Sequence, residues 1–363
     1  MDIKKTSLVF VIMVLAAGCT STPAAVIPTE NIDIQPATST PQSVYKFTIA
    51  TGAADSDWTT EGNGLSLEIN AQIPTVISSV QETESLMENV DLLTSGKAGL
   101  AFVYDYHVVF ANRGELMSAF PDAPIEKISI KCGTEMTRPM FPDYAESARI
   151  VLPLFEEQVY IIAADASGIT SINELKGKHI FTGEAGSATE QQARFIFASL
   201  GIDWETEIIH EQFDLSMAIH ALENGEIDAL MWSGYSPNTE LTDLLNAPDA
   251  KFKLIPITGD EAKTILQTAP GIFHQSRISA ALYSSTQEDV ETVATTVVLA
   301  AMEDFPEEHV TEILIAFFTP SSVEWKSSLS TKPEQSIALL NPDARSYLHK
   351  GTVDYFTEQG VIK

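Results

Sequence analysis

A chain of 363 residues with 44% hydrophobic side chains is longer than a single core comfortably fills, so two lobes are expected. Its formal charge of −29, from 50 acidic against 21 basic residues, leaves no Lys/Arg surface to neutralise a phosphate backbone and excludes nucleic acid as a partner. The only two cysteines, Cys19 and Cys132, cannot make a disulfide framework once Cys19 belongs to a leader.

Residues 1–19 read as an export signal: Lys4 and Lys5, the apolar run Leu8 to Ala17, then Gly18-Cys19. The run falls short of the roughly 20 residues needed to span a bilayer. Cys19 behind Leu15-Ala16-Ala17-Gly18 has the form of a lipobox, so the mature chain is expected to begin at a lipid-modified Cys19, held on the outer face of the cell membrane or in the periplasm. Residues 20–43, rich in Thr, Ser, Pro and Ala, cannot bury enough apolar surface to fold and read as a flexible tether. Beyond it we expect lobe I over 44–157, lobe II over 158–280, and a return to lobe I with C-terminal helices over 281–363.

Val44 to Ala50 alternates as a strand and runs into the polar turn Thr51 to Trp58, with a helix over Gly64 to Ile69. Thr75 to Val80 is a strand, Ser85 to Ser95 a helix stopped by Gly96, and Leu100 to Tyr104 a buried strand ending in Tyr104-Asp105-Tyr106-His107. Residues 114–147 lack periodicity. Two strands follow, Val151 to Leu154 and Val159 to Ala163, and the second leads to the most informative stretch, Lys178 to Leu200. There a short strand, His179 to Thr182, enters a turn at Gly183 and Gly186, and Ser187 with Glu190 forms a capping-box pattern that starts a helix near Ala188. Met217 to Leu222 is a helix stopped by Asn224-Gly225; Ala229 to Gly234, Leu254 to Ile257 and Val293 to Ala301 are strands; Glu307 to Phe318 and Ala344 to Gln359 are helices, the last stopped by Gly360.

Strands alternating with helices predict doubly wound α/β lobes whose crevice lies at the carboxyl ends of the strands. Candidate binding residues are therefore Gly52, Ala53, Asp55, Asp57, Trp58, Tyr104 and Asp105 in the first lobe, and Gly183, Gly186, Ser187, Ala188, Thr189, Trp232, Ser233 and Gly234 in the second. Trp58, Tyr104 and Trp232 are placed on turns facing the gap. The free N–H groups and positive end of the helix at Ala188 suit a carboxylate, whereas Asp55, Asp57 and Tyr104-Asp105 suit an ammonium. A zwitterionic amino acid should then bind better than its keto acid. Seven histidines without ligand spacing argue against a metal, no nucleophile elbow, P-loop or dinucleotide turn is present, and neighbouring carboxylates arise by chance among 50 acidic residues. No catalysis and no cofactor are expected.

Taken in order, several segments resemble the TAXI-class solute-binding receptors of tripartite ATP-independent periplasmic (TRAP) transporters. They are Ile49-Ala50-Thr51-Gly52 through Trp58, Asn89 to Gly96 with Leu100 to Val103, Ser167-Gly168-Ile169 with Glu174 to Lys178, Gly183 to Glu190, Leu222 to Ala229, and Leu348 to Gly351 with Gly360-Val361. The resemblance covers most of residues 46–363. It departs at Ala53-Ala54-Asp55-Ser56-Asp57, where the family is glycine-dense, and at Glu84-Ser85-Leu86, where it carries Gly-Gly-Ser. The resemblance implies an α/β, two-lobed fold of the type II periplasmic-binding-protein kind, each lobe a mixed sheet flanked by helices, with the ligand between the lobes. It also implies a receptor that takes a small carboxylate such as glutamate, glutamine or 2-oxoglutarate and delivers it to a TRAP membrane permease subunit, and a monomer is expected. The alternatives are an ABC-type or sensory solute-binding lipoprotein and, behind these, a periplasmic enzyme. If the leader is read correctly, cells fed a labelled lipid precursor will label the wild-type protein and not Cys19→Ala, and labelling of the variant contradicts the reading.

Overall fold

Alternation in the first strand buries Phe47 and Ile49 and leaves Lys46 outside, and the same logic recurs through the computed structural model. It describes residues 43–54, 56–113, 147–185, 187–247, 251–283, 286, 288–320, 329 and 331–363. The leader with Cys19, all of the tether but Ser43, Asp55, residues 114–146 with Cys132, and Gly186 lie outside these. In chain order the elements are β1 (Tyr45–Ala50), α1 (Asp57–Gln72), β2 (Val76–Gln81), α2 (Leu86–Thr94), β3 (Leu100–Tyr104), α3 (Asp105–Arg113), β4 (Ala148–Ala164), β5 (His179–Phe181), α4 (Ala188–Ser199), α5 (Trp204–Glu207) and β6 (Ile209–Glu211). There follow α6 (Leu215–Glu223), β7 (Ala229–Gly234), α7 (Thr239–Asn246), β8 (Phe252–Leu254), α8 (Gly259–Thr268), β9 (His274–Ile278), β10 (Val290–Met302), α9 (Glu307–Phe318), α10 (Pro333–Ala338) and α11 (Lys350–Glu358).

The strands form one mixed sheet in the order β2-β1-β3-β10-β4-β7-β5-β6, with β8 added to β4 and β9 to β10. β1 is parallel to β2 and β3 at one end, and β5 is parallel to β6 and β7 at the other. The two ends are joined by β4 and β10, antiparallel to each other and to their outer neighbours. β4 lies along β10 from Ala148 to Gln158 and along β7 from Gln158 to Ala163, so one 17-residue strand belongs to both ends of the sheet. β10 does likewise, with Val297 to Ala300 on β3 and Val290 to Ala294 on β9. This is the expected α/β class, with parallel strands at each end of one mixed sheet.

The strand pair expected at 151–154 and 159–163 is thus one strand, because the polar residues Glu156 to Gln158 interrupt the apolar run without bending the chain out of the sheet. Pro153 is accommodated where the register with β10 shifts: Val297 faces Phe155 and Val298 faces Pro153, and Leu154 is left over as a bulge. α1 begins well before Gly64. Ser56 caps it by accepting the Thr59 N–H at 3.2 Å, and its buried face includes Thr59 and Glu61, which obscures the apolar period. The Tyr104 to His107 set does not end a strand in a turn but passes directly into α3. Residues 344–359 form two helical pieces, a short 3₁₀ turn over Ala344–Tyr347 and then α11, whose cap is His349 Nδ1 accepting the Gly351 N–H at 3.2 Å. The strand expected from Leu254 lies instead at Phe252–Leu254, and α5, α7, α8, α10, β6 and β9 escaped the sequence reading. Among the described residues no helix is long and apolar enough to cross a membrane.

Val297 to Ala301 of β10 are all fully buried, between β3 and β4. Leu299 sits opposite Phe102 on one side and Leu152 on the other. Leu299→Ala should cost about 3 kcal/mol and lower the urea midpoint accordingly, whereas Leu67→Ala on the exposed side of α1 should shift it by less than about 0.5 kcal/mol.

Candidate functional site

Alternation along β4 sends the side chains of Glu156 and Glu157 to opposite faces of the sheet at the point where the strand passes from β10 to β7. Glu157 is 5% exposed. Its Oε1 accepts the Trp58 Nε1–H from the first turn of α1 at 2.6 Å, and its Oε2 accepts the hydroxyl of Tyr104 from the end of β3 at 2.5 Å. Gln192, on the buried face of α4, donates Nε2–H to Tyr104 Oη at 3.0 Å and to Thr295 Oγ1 of β10 at 3.0 Å. Its Oε1 accepts the Ser233 hydroxyl of β7 at 2.8 Å, and the Ser233 N–H donates to Thr189 Oγ1 at 3.2 Å. A second link parallels this chain, the Tyr106 hydroxyl donating to Gln191 Oε1 at 3.0 Å. Tyr104 and Ser233 lie at the carboxyl ends of β3 and β7, and Trp58, Tyr106, Thr189, Gln191 and Gln192 in the first turns of helices, which is where open α/β sheets hold ligands; Glu157 and Thr295 stand inside the two long strands beneath them.

Burial pushes Glu157 from 4.5 up to about 7, against the hydrogen bonds from Tyr104 and Trp58 and with help from the neighbouring Asp57 charge. Asp57 is itself raised by burial, offset by the Tyr235 hydroxyl that donates to it. On the opposite face Glu156 is treated differently. Burial would raise it, but His274 Nε2 at 2.9 Å and the Ser276 hydroxyl at 2.8 Å bring it below the ordinary range. His107 fits the default of a core histidine: its Nδ1 accepts the Tyr104 N–H at 3.3 Å, and burial lowers its pKa to about 3.

The second half of the site is the turn between β5 and α4. Gly183 has φ of +93°, and a Cβ there would lie 2.7 Å from the Glu190 nitrogen, Ser187 Oγ and Thr189 Cβ, so only glycine fits. α4 starts at Ala188 as expected, but the capping box is half made: Ser187 Oγ accepts the Glu190 N–H at 3.2 Å, while the Glu190 carboxylate pairs with Arg194 at 2.6 Å. The Ser187 N–H is engaged by Glu184 O at 3.0 Å, which leaves the amides of Ala188 and Thr189 as the donors at the helix end. Thr182 is fully buried and its Oγ1 has no hydrogen-bond partner. By strand alternation it shares the face of Ile180, which packs in the same core as Phe195 and Ile196 of α4.

Of the candidate residues read from sequence, Trp58, Tyr104, Thr189 and Ser233 are brought into one hydrogen-bonded network, and Asp57 lies beside it. Gly52 braces the first turn through its N–H to Thr59 Oγ1 at 3.2 Å, and Ala53 is exposed. Four placements differ from expectation. Trp58 and Tyr104 are buried within α1 and β3 rather than on turns, because each hydrogen-bonds Glu157. Trp232 lies inside β7, packed on Tyr160 with ring centroids 5.4 Å apart and folded over Gly234. Asp105 is fully buried and serves the start of α3, accepting the Tyr106 N–H at 2.8 Å and Asn341 Nδ2–H at 3.4 Å. Glu157, Gln192 and Thr182 were missed. The signal was available for the first: a Glu-Glu pair inside an otherwise apolar run of strand residues calls for a partner or a purpose.

The sign of the pH effect follows from these shifts. Asp105 and Glu157 both titrate near 7 when folded, against 3.8 and 4.5 ordinarily, so the folded state keeps protons that the unfolded chain has released. Their contribution to stability is full below about pH 4 and is lost as pH rises through about 7. The melting temperature should fall between pH 5 and pH 8, and Glu157→Gln should flatten that slope; parallel slopes in variant and wild type would contradict the assignment.

Comparison with known proteins adds the following. A periplasmic aliphatic sulphonate binding protein, SsuA from Escherichia coli, is 15% identical over 87% of this chain and 84% of its own, with a TM-score of 0.41. A TctC solute binding protein from Polaromonas is 14% identical over 87% and 99%, with a TM-score of 0.49. PhnD1 from Prochlorococcus marinus, in complex with methylphosphonate, is 11% identical over 87% and 99%, with a TM-score of 0.46. Likenesses this distant say nothing of what the present chain binds. The match to a family model is of another order: it runs over residues 140–360, more than half of the sequence and all of the second half of the site, and the chain belongs to the NMT1-like family.

Proposed function

We propose that this protein is an extracytoplasmic solute-binding receptor of the TAXI kind, a binding protein and not an enzyme, which captures a small carboxylate-bearing solute and delivers it to a TRAP membrane permease subunit. Lipidated at Cys19 and tethered through residues 20–43, it closes two lobes over the solute, with β4 and β10 as the strands that pass between them. A carboxylate accepts the amides of Ala188 and Thr189 at the start of α4, with Ser233 closing from the same lobe. The observation that carries this reading is Thr182: a fully buried hydroxyl without a partner, on the α4 side of β5, at a helix end with two donors to spare. Buried polar groups are ordinarily satisfied, so one left over beside a positive helix end points to a guest that completes it. A small amino acid or 2-oxo acid has the size and the charge for that place.

Two measurements bear on it. Ala188 is the first helical residue and follows Ser187 in an extended conformation, so Ala188→Pro should preserve the helix while deleting one donor. Loss of one charge-assisted bond of about 1.5–3 kcal/mol should weaken binding of glutamate or 2-oxoglutarate on the order of 10- to 100-fold at an unchanged melting temperature. Undiminished affinity in the folded variant would mean that the turn only caps a helix. Saturating solute should also shift tryptophan fluorescence, since Trp58 hydrogen-bonds the network and Trp232 lies beside Ser233, and should compact the molecule in solution scattering. Saturation without compaction counts against a closing receptor.

A further inference from the structure

Glu157 is a fully enclosed carboxyl group whose two protein partners are both neutral, an indole N–H and a phenol O–H. Among the described residues no lysine, arginine or histidine pairs with it. A carboxylate offers about four acceptor positions, and the described residues fill two of these. The next residue on the same strand makes the contrast: Glu156, less deeply buried, has His274 and Ser276 on its two oxygens. Asp105, equally buried, has a backbone N–H and an amide, with the charge of His274 nearby. Of these three carboxyl groups Glu157 alone is joined to α4 through the Tyr104–Gln192 link. The half-buried Asp57, near enough to act on it electrostatically, adds negative potential there instead of relieving it.

We propose that Glu157 receives a primary ammonium of the bound solute, its carboxylate fixed in place by Trp58 and Tyr104, so that the receptor selects solutes carrying both an amine and a carboxylate. The inference rests on the carboxylate-binding reading above for the other end of the solute. It relocates the cationic subsite from Asp55, Asp57 and Tyr104-Asp105 to a residue on β4. The ammonium brings the missing positive charge and donors for the vacant acceptor positions. A second anionic end meets Glu157 and Asp57 as like charges, and a hydroxyl or carbonyl leaves the charge unbalanced. The two subsites need opposite solute chemistry, because one is a helix end with spare N–H groups and the other a carboxylate without a cation.

The test compares leucine with its 2-oxo acid and with isoamylamine, and glutamate with 2-oxoglutarate, by calorimetry on the full mature protein and on Glu157→Gln. The inference expects the wild type to prefer each amino acid to its 2-oxo acid, and the variant to lose amino-acid affinity on the order of 100-fold while holding the 2-oxo acids as before. Isoamylamine bound as well as leucine, with both lost in the variant, supports Glu157 and removes the carboxylate end instead. Two-oxo acids bound as tightly as amino acids by the wild type overturn the inference, as does undiminished amino-acid binding by a folded variant, or a panel in which nothing binds. If Glu157→Gln does not fold, Trp58→Phe takes its place: selective loss of the amino acids supports the assignment, and equal loss of both classes overturns it.

Discussion

The burial of Glu157 without a basic partner is the constraint on which the middle of this molecule depends. An ionised carboxyl group in such a place costs several kcal/mol unless it is hydrogen-bonded and balanced, and this one is hydrogen-bonded only. Holding it requires Trp58 from α1 and Tyr104 from β3 to converge on one point of β4, and Tyr104 is held in turn by Gln192 of α4. Ser233 and Thr189 then fix β7 against the start of α4. Thus a single polar residue in an apolar strand sets the relation of five elements that are far apart in the chain.

Among the described residues, neutral side-chain hydrogen bonds bridge the two ends of the sheet. Tyr104 with Gln192 and Tyr106 with Gln191 are side-chain pairs of the sort that contribute about 0.5–1.5 kcal/mol each. The covalent and main-chain continuity, in contrast, runs through β4 and β10, whose buried apolar residues form the most extensive pairing in the fold. The register shifts near Val297 and Leu299 lie close to the same crossing.

The first turn shows how the chain does without the glycines its resemblance would supply. Thr51 is braced by Thr59 at 2.9 Å, its carbonyl receives Asn89 Nδ2, and Asn89 also reaches the Phe102 carbonyl at 2.9 Å. Asn89 Oδ1 accepts the Thr83 hydroxyl at 2.7 Å, so the asparagine uses both ends of its amide inside the protein. The turn is positioned by side-chain hydrogen bonds from α1 and α2. Bulk at Ala53 can therefore be carried outward, where it is exposed.

What the sequence by itself determined are the features written in neighbouring residues: β1, β3, β7 and α9 from their apolar runs, the cap at Ser187 and the start of α4, the obligatory glycine at 183, and the α/β class from the alternation of elements. Local chemistry suffices for these because period, cap and φ > 0 are properties of a few adjacent positions. It failed where burial contradicts polarity. The continuity of β4 through Glu157 depends on Tyr104 and Trp58, 53 and 99 residues away, the burial of Asp105 at the start of α3 on Asn341, 236 residues away, and the early start of α1 on a buried face that carries Thr59 and Glu61. Only the tertiary structure decided that Glu157 is buried with neutral partners and that the Thr182 hydroxyl is buried without one, because satisfaction of a buried polar group is a property of everything folded around it and of no stretch of chain alone.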